Sequence, residues 1–169
     1  WLDAGGTGTG YHGYWAEHFA RVDRHLGTLA DLQGLSRDLH GRGMYLVQDI
    51  VLNHTGNFFE YAGGWDPLDP TRFYVPQTRA RPGPRPSQPP FDMNDPRRVR
   101  DRRAGIYHWT PAVRDYNDPD QEARFQMSGL DDLATENPRV RRALRASYGH
   151  WIRQAGVDAF RVDTLFYVP

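Results

Sequence analysis

Cysteine is absent from this chain of 169 residues, and all of its 21 lysine-or-arginine positions are arginine. The lack of cysteine excludes a disulfide framework, a thiolate metal site and a thiol nucleophile. No stretch approaches ~20 apolar residues, so the sequence offers no membrane span. The 21 acidic residues balance the basic ones, which argues against a nucleic-acid-binding protein. Hydrophobic residues make up 38% of the chain, which is enough to build a core.

A first helix–strand unit is predicted from residue 28 onward. Thr28 is a suitable N-cap, with Asp31 completing an approximate capping box, and Gly41 or Gly43 ends the helix. The apolar run 44–52 that follows is typical of a strand covered on both faces in a parallel sheet. The predicted buried stripe of the helix consists of Leu29, Leu32, Leu35 and Leu39.

A second unit of the same kind ends the sequence. Its helix begins at Asn137 with Pro138 in the first helical position, and it ends at Gly156. The run 157–163, VDAFRVD, is predicted to be another buried strand. Helix followed by strand, twice, indicates an α/β fold with parallel strands. The predicted buried stripe of this helix consists of Val140, Leu144, Tyr148 and Ile152.

The connection between the two units is unusually long. It covers roughly 85 residues, where strand-to-helix connections usually have only a few. The proline-rich part 79–91 does not suit a helix or a central strand. A short strand is predicted at 106–109, and the arginine-rich part 97–103 is interpreted as a solvated turn. We interpret the whole connection as a small inserted domain.

Charged side chains alternate along the two predicted strands. Arg161 and Asp163 share one face, because residues i and i+2 of a strand point the same way, and Asp49 and Asn53 likewise share a face. A guanidinium group beside a carboxylate keeps the carboxylate ionised. An ionised carboxylate in a pocket can act as a nucleophile or can stabilise a cation. The same residues also fit a structural ion pair.

Aromatic residues and histidines supply the other candidates. YHGYW at 11–15 suits sugar stacking and hydroxyl recognition, although such a loop can also be a hydrophobic anchor. His54 fits either a structural hydrogen-bonding role or a catalytic one. The histidines at 12, 54 and 150 are too scattered for a zinc site, so a metal would be a hard ion on oxygen ligands such as Asn53. The glycine-rich stretch 6–10 lacks the strand and helix that frame a phosphate-binding loop.

Four segments, taken in order, resemble the α-amylase family, glycoside hydrolase family 13. They are YHGYW, RGMYLVQDIVLNHTG, SGLDDLATENP and GVDAFRVD. The resemblance covers nearly the whole chain and implies part of a (β/α)8 TIM barrel, about strands 3–4 and helices 2–3, with an inserted domain B. The implied division is 1–52 as barrel, 53–134 as domain B and 135–169 as barrel. The chain is then expected to be an internal fragment of a longer catalytic domain.

The resemblance also implies roles for individual residues. Asp163 matches the catalytic nucleophile, and Arg161 matches the arginine that keeps it ionised and oriented. Asp49 matches an aspartate paired structurally with that arginine. The residues that match sugar-binding positions are His12, Tyr14, Trp15 and His54.

A calcium site is implied too, with Asn53 and Asp132 as ligands. Many members of the family have a Lys-His pair after the nucleophile, whereas this chain has Phe166 and Tyr167. The histidine of that pair can supply a backbone ligand to calcium and a ring contact to sugar, so this departure bears on both. Asp131 stands where proline is common. No organic cofactor is expected.

The implied activity is retaining cleavage of α-glucans or malto-oligosaccharides. The family takes its acid/base glutamate and a stabilising aspartate from strands beyond the segment matched here. The 169-residue chain by itself is therefore expected to be inactive. Two alternatives stay open: a transglycosylase or a sucrose- or trehalose-converting relative, and an amylase-like protein that no longer catalyses.

Overall fold

The computed structural model describes residues 10–77 and 83–169, so the segments 1–9, with most of the glycine-rich stretch, and 78–82 lie outside the description. Four α-helices and four strands occur in the described ranges. In chain order they are α1 (Leu29–His40), β1 (Val47–Val51), β2 (Phe59–Tyr61), β3 (Tyr74–Pro76), α2 (Val99–Ala104), α3 (Pro119–Arg124), α4 (Pro138–Ala155) and β4 (Ala159–Asp163). Two short 3-10 turns cover Met127–Gly129 and Leu165–Tyr167.

Helix α1 has the predicted boundaries. The Thr28 hydroxyl accepts from the Asp31 amide, and the Asp31 carboxylate accepts from the Thr28 amide at 2.8 Å, which completes the capping box. The predicted stripe is wrong at Leu35, whose side chain is exposed, while Ser36 is buried. The face toward the core runs through Leu29 and Leu32, which are partly buried, and Ser36, because a spacing of three and then four residues keeps to one side of a helix.

Helix α4 also begins and ends as predicted. The Asn137 side chain accepts from the Arg139 amide at 2.9 Å, and Gly156 ends the helix in the left-handed conformation. Ile152 was expected to be buried but is exposed, and Trp151 is buried in its place. A strict spacing of four residues drifts by ~40° at each step on a helix with 3.6 residues per turn, so by the fourth position the stripe has left the buried face.

Strands β1 and β4 pair in parallel, as the repeated helix–strand order predicts, with Asp49 opposite Arg161 and Val51 opposite Asp163. One face of this pair packs against the core through Ile50 and Phe160. The prediction that both faces are covered is wrong for the described residues. On the opposite face Val47, Asp49 and Arg161 are exposed, because the helices cover only the other side of the two strands, whereas Val51 at the end of β1 is buried.

The long connection contains its own small elements. Strands β2 and β3 form an antiparallel pair. No strand forms at 106–109, where Tyr107 makes only an isolated bridge to Leu133. The segment interpreted as a solvated turn contains helix α2, whose Asp101 is fully buried.

A single hydrophobic cluster joins the connection to the two helix–strand units. Phe59 and Tyr107 of the connection belong to the same buried cluster as Leu144 and Tyr148 of α4. The division at residues 52 and 134 stays a prediction. Within 10–77 and 83–169, every helix is too short or too polar to cross a membrane.

Candidate active site

Two neighbouring strands place three charged side chains together. Because Asp49 lies opposite Arg161 in the parallel register, both side chains leave the sheet on the same face, and Asp163 follows two positions later. Arg161 Nη1 donates to Asp163 Oδ1 at 2.7 Å and to both carboxylate oxygens of Asp49 at 3.1 Å. One guanidinium group therefore joins a carboxylate in the middle of β1 to the carboxylate that ends β4.

Tyr14 extends this network from a distant part of the sequence. Its hydroxyl donates to Asp49 Oδ2 at 3.0 Å. That hydrogen bond is the main reason why the pKa of Tyr14 is raised, and the charge of Asp163 adds to the effect. Hydrogen bonds to Asp49 and then to Asp163 raise the pKa of Arg161, so its guanidinium group stays charged. Asp163 thus has a permanent cation on one of its oxygens.

Three rings of the 12–15 segment gather beside the network. The His12 ring stacks on Tyr14 with centroids 5.5 Å apart and meets Trp15 edge-on at 4.9 Å. Gly13 adopts a φ of 83°, a conformation that glycine takes without strain, and this turn brings the rings together. Trp15 packs in addition against the buried Phe58. The result is a partly exposed aromatic surface next to Asp49.

His54 lies beneath this segment and is only 1% exposed. Burial lowers the pKa of His54 to about 4, and the backbone of Tyr14 and the charge of Asp163 oppose that effect without cancelling it. The imidazole is therefore neutral at ordinary pH. Among the described residues, its Nε2 atom has no hydrogen-bond partner. A neutral ring is suited to binding a hydroxyl group, but His54 is buried against the backbone of Tyr14, so a ligand reaches Nε2 only if the 12–15 segment moves.

Asn53 and Asp132 form a second location, next to His54. They belong to neighbouring segments, since His54 and Asp132 form a bridge and the Leu133 amide donates to the Asn53 carbonyl at 2.9 Å. Both side chains are buried, and Asn53 Oδ1 and Asp132 Oδ1 have no partner within the described ranges. Burial raises the pKa of Asp132 to about 6. Unpaired buried oxygens of this kind are the ligands that calcium prefers.

His108, which sequence reasoning missed, completes this second location. Its Nδ1 bonds Asp132 Oδ2, and its Nε2 lies 2.9 Å from Glu136 Oε1. Burial lowers the pKa of His108, but hydrogen bonds to the two carboxylates outweigh it, and the net pKa is raised. Within the residues that the structure covers, no group of three or more His, Cys, Asp or Glu side chains is arranged to hold a metal. Side-chain ligands for an ion are therefore limited to the two free oxygens.

The predicted site residues thus fall into two groups. Tyr14, Asp49, Arg161 and Asp163 form one hydrogen-bonded network, with His12, Trp15 and His54 next to it. Asn53 and Asp132 form the second group, which adjoins His54. A cavity of about 700 Å³ is lined by His12, Tyr14, Trp15 and Asp49 on one side and runs toward Trp151. Asp163 does not line that cavity, so a molecule bound in the cavity would not contact the Asp163 carboxylate.

Comparison of the chain with known proteins identifies its relatives. Residues 6–169 match the family model for the α-amylase catalytic domain. The chain is 31% identical to an α-amylase of Streptomyces lividans, and the matched region covers 96% of this chain and 20% of that protein. It is 32% identical to a cyclomaltodextrin glucanotransferase of Klebsiella oxytoca, covering 96% of this chain and 22% of that protein. The chain thus spans about a fifth of the length of these curated relatives.

Solved structures show the same likeness in three dimensions. An α-amylase from Geobacillus thermoleovorans, complexed with acarbose, superposes with a TM-score of 0.66 at 32% identity, over 95% of this chain and 28% of that one. An α-amylase from Malbranchea cinnamomea gives a TM-score of 0.67 at 26% identity, over 96% of this chain and 29% of that one.

Proposed function

The chain belongs to the α-amylase family, and from this premise we propose that it supplies the nucleophile and part of the sugar-binding surface of a retaining α-glycoside hydrolase. The substrate class is an α-glucan or malto-oligosaccharide. The relatives are TIM-barrel catalytic domains. On this proposal β1 and β4 are neighbouring barrel strands, and the 53–134 connection is the inserted domain B.

The observation that carries the proposal is the bridge made by Arg161. Its Nη1 atom holds Asp163 at 2.7 Å and Asp49 at 3.1 Å, and the Tyr14 hydroxyl completes the network. In barrels of this kind the active site lies at the carboxyl ends of the strands, where Asp163 ends β4. The partly exposed Asp163 side chain, the fixed cation and the adjoining rings are the components that a nucleophilic sugar site needs.

The chemical step follows from the charge and position of Asp163. Its Oδ1 is held by Arg161, so Oδ2 is the atom that attacks the anomeric carbon. The bond from that carbon to the leaving oxygen breaks, the leaving oxygen takes a proton from an acid, and a glycosyl ester forms on Asp163. Water then attacks the same carbon and gives its proton to the conjugate base, which releases the carboxylate. The acid/base carboxyl group would lie ~5–5.5 Å from Asp163, as in retaining enzymes.

The remaining residues position the sugar. The Tyr14 ring stacks on an apolar face of the sugar, and the hydrogen bond to Asp49 at 3.0 Å fixes the orientation of that ring. His12 stacks on the Tyr14 ring, and Trp15 meets the His12 ring edge-on. His54 would bind a sugar hydroxyl through Nε2, because burial keeps its imidazole neutral.

Glucan transfer is a second candidate for the same site. The observation in its favour is the 32% identity to a cyclomaltodextrin glucanotransferase. The nucleophilic step is shared, and the difference lies in whether water or a sugar hydroxyl attacks the glycosyl ester. Product analysis with and without an added acceptor sugar separates the two.

A divalent cation, most simply Ca²⁺, is proposed at the second location. Asn53 Oδ1 and Asp132 Oδ1 would be its side-chain ligands, since both are buried oxygens without partners among the described residues. The ion would hold the segment after β1 against the segment before α4. The chemistry at Asp163 does not pass through it.

The decisive experiment replaces the nucleophile in the protein that carries this chain. Asp163→Asn is expected to reduce hydrolysis of a malto-oligosaccharide by several orders of magnitude, because an amide does not form the glycosyl ester. The reducing-end assay should show the loss while circular dichroism and the melting temperature stay near those of the wild type. Asp158→Asn, a change of the same kind just before β4, is the control and should leave the rate largely unchanged. Near-normal hydrolysis by Asp163→Asn would refute the assignment.

A further inference from the structure

His108 lies between two carboxylates that take no part in the proposed chemistry. Its side chain is 10% exposed. Nδ1 bonds Asp132 Oδ2, whereas Nε2 lies 2.9 Å from Glu136 Oε1 and 3.1 Å from Glu136 Oε2. The ring thus engages three of the four carboxylate oxygens at this location.

The backbone holds this ring in place. The His108 amide donates to the Asp132 carbonyl at 3.3 Å, and Tyr107 bridges Leu133. Ile106 and Tyr107 are buried, so the backbone on the N-terminal side of His108 is anchored in the core. Withdrawal of the ring from Asp132 therefore requires a side-chain rotation and not a movement of the loop.

The free oxygens lie next to the engaged ones. Asn53 Oδ1 and Asp132 Oδ1 have no well-formed hydrogen bond among the described residues, and these two residues are 1% and 2% exposed. Burial raises the pKa of Asp132, and the Asn53 side chain lies close enough to that carboxyl group to oppose the rise, so the two side chains are neighbours. Ca²⁺ takes 6–8 oxygen ligands and often binds a carboxylate through both oxygens. With His108 in place, Asp132 can offer only one oxygen and Glu136 none.

We propose that His108 and a divalent cation are alternative partners of Asp132, so that His108 sets the cation affinity of this location. With the ring on Asp132, the ion has only two side-chain oxygens and binds weakly. When the ring rotates away, Asp132 Oδ2 and both Glu136 oxygens become available beside them. The inference rests on the proposed cation site, and it does not depend on the role of Asp163.

Calcium titration by isothermal calorimetry tests the competition directly on the full chain. His108→Asn should bind Ca²⁺ at least tenfold more tightly than the wild type, because Asp132 and Glu136 are released. His40→Asn is the matched control, since His40 Nε2 makes a similar 2.8 Å bond to a carboxylate, that of Asp158, at another location. This control should leave the affinity unchanged.

A measurement on the wild type covers the case in which His108→Asn does not fold. Saturating Ca²⁺ should shift the ring ¹⁵N resonances of His108 in an NMR spectrum and leave those of His40 in place. Binding of Ca²⁺ without any change at His108, or equal affinities in His108→Asn and the wild type, would overturn the competition but keep the ion. Absence of Ca²⁺ binding in every variant would overturn both, whereas loss of hydrolysis in Asp163→Asn would still stand.

Discussion

Asp95 lies in a cluster of charged side chains that holds part of the long connection together. Its carboxylate is almost buried and accepts from Arg97 Nε and Nη2, both at 2.9 Å. The guanidinium groups of Arg85 and Arg98 lie within 4.0 Å. The Arg97 hydrogen bonds are the largest reason why the pKa of Asp95 is lowered on folding. Asp95 therefore joins segments of the long connection, as Arg161 joins two strands.

The pH dependence of stability should reveal Asp95. Because its pKa is lower in the folded state, its contribution is present at neutral pH and is lost as the pH falls below the ordinary aspartate range. Asp95→Asn is expected to lower the free energy of unfolding by about 2 kcal/mol at pH 7, and the difference from the wild type should narrow below pH ~4. Urea unfolding of both proteins at several pH values measures this difference in the free energy of unfolding.

The control for this prediction is Asp38→Asn. Asp38 lies on the exposed face of α1, so the same charge change should have little effect on stability. If Asp95→Asn destabilises the protein equally at pH 3 and pH 7, ionisation of Asp95 is not the cause.

Residue-level prediction from the sequence succeeded where local geometry decided the result. The alternation of side chains along a strand was enough to place Arg161 and Asp163 on one face, and two parallel strands were enough to bring Asp49 there. The contacts of His108 could not be predicted from the sequence. Asp132 and Glu136 lie 24 and 28 residues further along the chain, and no periodic pattern connects them to it.

At the scale of secondary-structure elements, the join between α1 and α4 depends on Gly156. This residue has a φ of 66°, and a Cβ atom placed on it would lie 3.0 Å from Ser36 Oγ and 3.5 Å from His40 Cε1. Two separate costs therefore oppose any side chain here. One is the left-handed backbone conformation, and the other is the close approach to α1.

Two glycine substitutions separate these costs. Gly43→Ala introduces a side chain at a φ of 70° with no atom within 4 Å, so it should lower the free energy of unfolding by about 1 kcal/mol from backbone strain alone. Gly156→Ala should cost more, by ~1 kcal/mol, because the Ser36 side chain on α1 has to move away from the new methyl group as well. Chemical unfolding of both variants gives the comparison. Equal decreases in the free energy of unfolding would mean that the Ser36 side chain moves away from the new methyl group without cost.

Helices were predicted more accurately than strands, for a physical reason. Thr28 and Asn137 cap their helices through bonds to residues two or three positions away, so the sequence alone contains the signal. Burial of a strand depends on what other elements cover it. The apolar run 157–163 looked buried on both faces, but Phe160 packs inward while Arg161 is exposed.

At the scale of the whole molecule, one hydrophobic cluster joins the long connection to both helix–strand units. Helix α4 contributes to it through Tyr148, whose hydroxyl donates to the Val51 carbonyl, and through Trp151, whose Nε1 donates to the Phe19 carbonyl at 2.8 Å. The parallel strand pair is thus fixed from its helical side. Its other side, which presents the Arg161 network, is open in the described residues.

Apolar side chains are exposed at both ends of the parallel strand pair. Exposed residues cluster at the start of β1 and after β4, and the largest are Met44, Tyr45, Val47, Leu165 and Phe166. In the described ranges the parallel sheet has only two strands, so both strands have an edge without a hydrogen-bonding neighbour. Unpaired edges flanked by apolar side chains favour pairing with other chains.

The 169-residue chain is therefore expected to self-associate as its concentration rises. Light scattering coupled to size-exclusion chromatography should show a mass that increases with loading. Tyr45→Glu together with Val47→Glu should shift the distribution toward the monomer, because charged side chains at a sheet edge oppose pairing. Leu68→Glu removes a side chain that is 93% exposed and lies outside the strands, so it serves as the matched control and should leave the mass unchanged. A chain that stays monomeric at every concentration would show that the strand edges do not attract a second copy. If Leu68→Glu lowers the measured mass as much as the double variant does, the net charge of the chain, and not the edge of β1, controls association.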